Sequence, residues 1–111
     1  MACVQMNSKQ RTLARHWRRW FKNQEWGSLF VYELSRSPKE AQLRVSRNRN
    51  QETVYLDLTG AGRHDCSCSF FEACSRDSSS PFERWCFHVA ASAMRCGRGE
   101  LVLPLLAAVE R

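Results

Sequence analysis

The stretch Asp65-Cys66-Ser67-Cys68-Ser69-Phe70-Phe71, with its answer downstream in Trp85-Cys86-Phe87-His88-Val89-Ala90-Ala91, decides how this chain is read. Two tight pairs of soft ligands, C-x-C and C-x-H, are separated by residues 69–85. In an extended segment residues i and i+2 project to one face, so Cys66 and Cys68 can aim at a single point. A tetrahedral zinc with Zn–S bonds of about 2.3 Å asks for sulfurs roughly 3.8 Å apart, which modest side-chain rotation supplies. The second pair precedes a small-residue apolar run, Val89 to Met94, which reads as a helix with His88 in its first turn. Cys66, Cys68, Cys86 and His88 are therefore the candidate ligands of one Zn2+ in a closed Cys3His site, the structural type.

The pairs depart from the commoner zinc spacing, in which cysteines stand two to four residues apart and histidines three to five. C-x-C, a variable gap and then C-x-H resembles the SWIM zinc finger, with Cys66, Cys68, Cys86 and His88 on its four ligand positions. Ala91, three residues after the histidine, resembles the C-x-H-x-x-A form found in the SWIM subunit of Shu-type recombination complexes. Mutator-like transposases carry SWIM fingers with a shorter gap ending in a Gly-Ile-Pro-Cys-like turn, where this chain has Glu83-Arg84-Trp85-Cys86. The resemblance spans residues 41–96 and implies a protein-interaction role beside recombinase paralogues in DNA repair, or else a transposase-derived module. It implies a nuclear place if the source is eukaryotic.

The bulk properties agree with a small metal-stapled domain. A chain of 111 residues supports one modest core and gains from a metal. Six cysteines in a secreted protein would suggest three disulfides. The start, Met1-Ala2-Cys3-Val4-Gln5-Met6, lacks the apolar core of a signal peptide, so intracellular zinc thiolates are expected instead. No apolar run approaches the roughly 20 residues that a membrane span requires.

The net charge is +6, and six basic residues, Lys9, Arg11, Arg15, Arg18, Arg19 and Lys22, precede the first acidic one, Glu25. The segment 8–24 has a helical period. Leu13, Trp17, Trp20 and Phe21 form an apolar stripe, and Arg11, Arg15, Arg18 and Lys22 a basic stripe opposite. Ser8 is the candidate N-cap and Gly27 the candidate stop. Three readings stay open for the basic stripe: a solvated face, a contact to DNA or RNA phosphate, or a membrane-surface helix.

After Gly27 the period becomes two. Segments 28–34, 41–47 and 53–59 read as three antiparallel strands in a meander, with Leu43, Val45, Val54, Leu56 and Leu58 facing inward. Turns are expected at 35–40 and 48–51, and the loop 60–64 delivers the chain to Cys66. Phe70, Phe71, Phe82, Trp85 and Phe87 should shield the thiolates, unless one serves as an exposed base-stacking platform. Ser75 to Pro81 reads as an exposed excursion whose serines could be modified. The tail 100–109, interrupted by Pro104, either packs back as a short helix or offers a partner surface. Cys74 reads as a core thiol that could substitute as a ligand for Cys66 or Cys68, His64 as the more credible spare ligand, Cys96 as a buried thiol before Gly97, Cys3 as part of a frayed terminus, and His16 as an exposed flank.

The expected fold is α+β: a basic amphipathic helical segment over 1–27, a SWIM-like domain over 28–96 with its zinc knuckle and helix at 64–96, and an apolar tail over 97–111. Catalysis is not expected, because Cys86 and His88 are used by the metal pattern and four ligands leave no open position. No Gly-rich phosphate loop is present in the sequence. A nucleic-acid-binding module and a protein-interaction adaptor are the two function classes that follow.

Overall fold

A computed structural model describes residues 8–75 and 82–110, the side chains of Ala73 and Ser75 excepted. Cys3 and the serine run Ser78–Ser80 lie outside the described residues. The chain order is α1 (Ser8–Lys22), a 3-10 turn (Glu25–Ser28), β1 (Phe30–Arg36), β2 (Glu40–Arg47), β3 (Asn50–Asp57) and β4 (Asp65–Cys66). It continues through α2 (Ser69–Ser75), α3 (Phe87–Arg95), a second 3-10 turn (Gly99–Val102) and α4 (Leu103–Val109). The fold is the expected α+β mixture.

The sheet runs β1-β2-β3-β4 and every pairing is antiparallel. The three-stranded meander is joined by a short fourth strand over the extended segment that carries Cys66. Its register explains why it matters: Cys66 stands opposite Val54, on the buried face of β3. Alternation on β2 and β3 buries Ala41, Leu43, Val45, Val54 and Leu56 on that same inner face. The β2–β3 hairpin closes tightly, with Arg47 opposite Asn50 and Asn48 in the left-handed region at φ 57°.

Asp57 organises the loop before β4. Its carboxylate accepts from the Thr59 amide at 2.9 Å, the Thr59 hydroxyl at 2.6 Å and the Arg63 amide at 3.1 Å. Gly60 and Gly62 take positive φ between those anchors.

Against the inner face lies α3, whose Val89, Ala90, Ala91, Ser92 and Ala93 are all buried. Small side chains permit that close approach to the sheet. The helix stops as the sequence suggested: the Cys96 amide donates to Ser92 O and the Arg98 amide to Ala93 O, with Gly97 at φ 79° between them.

The basic helix α1 docks through its apolar stripe. Trp17 and Trp20 are buried, with Leu13 and Phe21 packed beside them. Ser8 is the first described residue of α1, its carbonyl accepting from the Thr12 hydroxyl at 3.0 Å. The stop is Gln24, left-handed at φ 50°, and Gly27 falls within the following 3-10 turn. The tail packs back: Pro104 sits in the first turn of α4, and Leu105, Ala108 and Val109 are buried.

Candidate metal centre

Three elements deliver the four ligands. Strand β4 ends on Cys66, the chain turns into α2 directly after Cys68, and α3 begins directly after Cys86 with His88 in its first turn. One ligand atom from each of Cys66, Cys68, Cys86 and His88 lies within 4.8 Å of all the others. The imidazole presents Nδ1, at 3.8 Å from Cys66 Sγ and 3.9 Å from Cys86 Sγ. With Zn–S bonds of about 2.3 Å and a Zn–N bond of about 2.0–2.1 Å, a tetrahedral zinc sets such N–S edges at roughly 3.5 Å, so the ligands stand within a few tenths of an ångström of that geometry. Three thiols and an imidazole converging in this way form a cluster able to hold a metal ion, and the donor set is that of zinc.

Two of the sulfurs also cap helices. Cys86 is the N-cap of α3, and its Sγ accepts the Val89 amide at 3.4 Å. Cys68 holds the same position before α2, accepting the Phe71 amide at 3.2 Å. Each sulfur thus satisfies an otherwise unpaired amide in a helical first turn, and the helix dipole favours negative charge there.

The free cluster carries its negative charge unevenly. Hydrogen bonds from Cys66 and then Cys86 hold the Cys68 thiol well below its ordinary range. The proton shared with Cys68 pushes Cys66 up to about 12. Burial, reinforced by the neighbouring sulfurs, pushes Cys86 far above the ordinary range. A divalent cation at the cluster would draw the thiol protons away.

Aromatic rings close the site from the α1 side. Phe87, between the two ligands of the second pair, stacks on Phe70 at 4.9 Å and on Trp20 at 5.6 Å, and Trp17 meets it edge-on at 4.6 Å. Phe71, Phe82 and Trp85 are buried, and Phe70 and Phe87 are half-buried. None of the five is among the exposed large hydrophobic side chains, so none stands as an open platform for a base. On the other side, Asp65, Cys66, Ser67, Cys68, Phe71, Glu72 and Arg84 line an open cleft of about 460 Å³.

The spare ligands have other work. Buried His64 accepts the Asp57 amide on Nδ1 at 3.0 Å, and its ring lies 4.9 Å from that of Trp85. Burial, resisted by Asp57 and assisted by Arg84, lowers its pKa to about 4. Cys74 is a buried thiol whose burial raises its pKa to about 11. Cys96, half-buried, donates to Ala93 O at 3.6 Å.

Within the basic stripe, Arg11, Arg15 and Lys22 are exposed. Arg18 is engaged: its Nε and Nη2 donate to Val109 O at 3.3 and 2.9 Å, tying α1 to the end of α4. Arg19 and His16, outside the predicted stripe, join Arg15 and Thr12 around a shallow cleft of about 170 Å³. The i, i+4 spacing of Arg15 and Arg19 is the signal that would have found it. No described helix is long and apolar enough to cross a membrane. In comparisons with known proteins, no family model, no curated protein and no solved structure matches this chain.

Proposed function

We propose that this chain is a SWIM-type zinc finger protein in which Zn2+ braces the fold without catalysing a reaction, and that it binds DNA or RNA phosphate through α1. The observation that carries the reading is the convergence of Cys66, Cys68, Cys86 and His88, in the C-x-C and C-x-H order, at the start of a buried helix. The ligands complete a four-coordinate shell, which favours a structural over a catalytic metal.

Phosphate binding is supported by the exposed Arg11, Arg15 and Lys22 with Arg19 beside them, on a helix in which no carboxylate interrupts the basic residues. The stack of Trp20 on Phe87 couples that helix to the ligand pair, so the metal fixes the platform that presents the charges. An intracellular setting follows from thiolate ligation, and a partner in a recombination complex fits the same frame.

Anisotropy titrations of labelled duplex across a salt series test the reading. Log K should fall steeply with log salt, and the slope should flatten by up to about 0.9 for each phosphate contact removed by Arg11→Gln, Arg15→Gln or Lys22→Gln. Equal affinity of the triple variant and the parent would sink the helix as a phosphate surface, leaving the adaptor role in recombination as the better reading.

A further inference from the structure

The outer face of the sheet is open, and its exposed residues do not resemble an ordinary solvated face. Alternation on β1 turns Phe30 and Tyr32 outward, and they are 78% and 68% exposed. Register places Ser46 opposite Phe30 and Arg44 opposite Tyr32, with Gln51 and Thr53 in the next strand. Arg49 occupies the tip of the adjoining hairpin. Among the described residues, none of Arg44 and Arg49 forms an ion pair. Glu40, the acid at the far end of this face, is held by the Tyr55 hydroxyl at 2.5 Å.

From this arrangement we infer that single-stranded nucleic acid lies across the outer face of the sheet, stacking bases on Phe30 and Tyr32 and setting phosphate against Arg44 and Arg49. The inference rests on the nucleic-acid reading above and gives the bases a surface separate from α1.

Two arguments select this occupant. Rings at i and i+2 of a strand stand about 6.8 Å apart, about twice the 3.4 Å rise of a duplex strand. Successive bases can each meet a ring only when the strand is unpaired and extended. Exposed Leu34 follows the two rings along β1, but the strands beside them present hydroxyl, amide and guanidinium groups in Ser46, Gln51, Thr53 and Arg44. That mixture of rings and cations suits a polyanion with π-faces better than the apolar core of a protein interface.

The test uses the full, zinc-loaded chain with fluorescein-labelled 20-nucleotide oligothymidylate and, in parallel, a labelled 20-base-pair duplex. Because both rings are exposed, Phe30→Ala with Tyr32→Ala should leave the thermal melt unchanged. Affinity for the single strand should fall about 10-fold or more, with the duplex unaffected. Phe30→Tyr should retain binding, and Arg44→Gln should flatten the salt dependence for the single strand. Single-strand affinity equal to the parent's in the double alanine variant overturns the inference. If that variant is silent while the α1 glutamine variant loses duplex, only this inference fails; if the parent binds neither probe, both readings fail. Self-association in sedimentation velocity that the double alanine variant abolishes assigns the face to a second copy and also overturns it.

Discussion

Replacing Cys86 by serine separates the two jobs of its sulfur. The serine hydroxyl can still accept the Val89 amide, as N-cap serines commonly do, but it is a poor zinc ligand. Structural zinc contributes on the order of 10–16 kcal/mol of apparent binding energy, so one ligand in four stands for roughly 2.5–4 kcal/mol. A domain of this size has a total stability of about 5–15 kcal/mol. With zinc present, Cys86→Ser should therefore consume a large fraction of the stability. Cys86→Ala, which also orphans the amide now bonded to Sγ at 3.4 Å, should cost about 1 kcal/mol more. Under excess chelator the serine variant and the parent should unfold within about 1 kcal/mol of one another. Urea titrations followed by circular dichroism, with and without chelator, together with metal analysis, measure all three quantities. An equal loss in Cys86→Ser with and without chelator would refute the reasoning, because the cost would then be packing rather than ligation.

Zinc loading at pH 7 should release protons from the cysteine thiols; calorimetry in buffers of different ionisation enthalpy detects them, and zinc uptake with no proton release would contradict thiolate ligation. His64 has a folded pKa of about 4, below its unfolded value near 6.5, so the stability it contributes is full above pH 6.5 and is lost as pH falls towards 4. His64→Phe, which orphans the Asp57 amide, should begin about 1–3 kcal/mol less stable yet lose roughly 3 kcal/mol less than the zinc-saturated parent across that window; parallel acid losses in urea titrations would contradict this. Arg18→Gln should lower stability by about 1 kcal/mol through its lost bonds to Val109 O, whereas Arg11→Gln, Arg15→Gln and Lys22→Gln should each change it by less than about 0.5. Trp17→Ala should cost roughly 3–5 kcal/mol and act on binding only through unfolding, which thermal melts beside anisotropy would separate.

What could be read ahead of the structure was whatever a short period carries. The alternation of Leu43, Val45, Val54 and Leu56 gave the inner face, and the C-x-C and C-x-H spacings gave a cluster that folding closes to within 4.8 Å. The remainder depends on partners distant in sequence. Arg18 belongs to the basic stripe by periodicity and leaves it only because Val109 O is there to accept. His64 stands two residues from Cys66, the spacing of a spare ligand, but it lies in the loop before β4, which folds its Nδ1 back onto the Asp57 amide instead. Helix α2 carries a helix-start signal in Ser69-x-x-Glu72, but its run is only 7 residues long and ends where the polar excursion from Ser75 begins, too short for a helical period to show. The outward rings of Phe30 and Tyr32 were invisible because a strand rich in apolar residues does not reveal which of its faces is left uncovered.

The clasp of Arg18 on Val109 joins residues 91 positions apart. It has a mechanical consequence. Tension applied between Ser8 and Val109 would load the α1–α4 contact first, by shear along α1, before any force reached the sheet hairpins or the metal cluster. The same proximity makes the α1–α4 contact a natural place for a covalent bridge: a cross-link there would bear the load in place of the clasp and leave the two ligand pairs untouched.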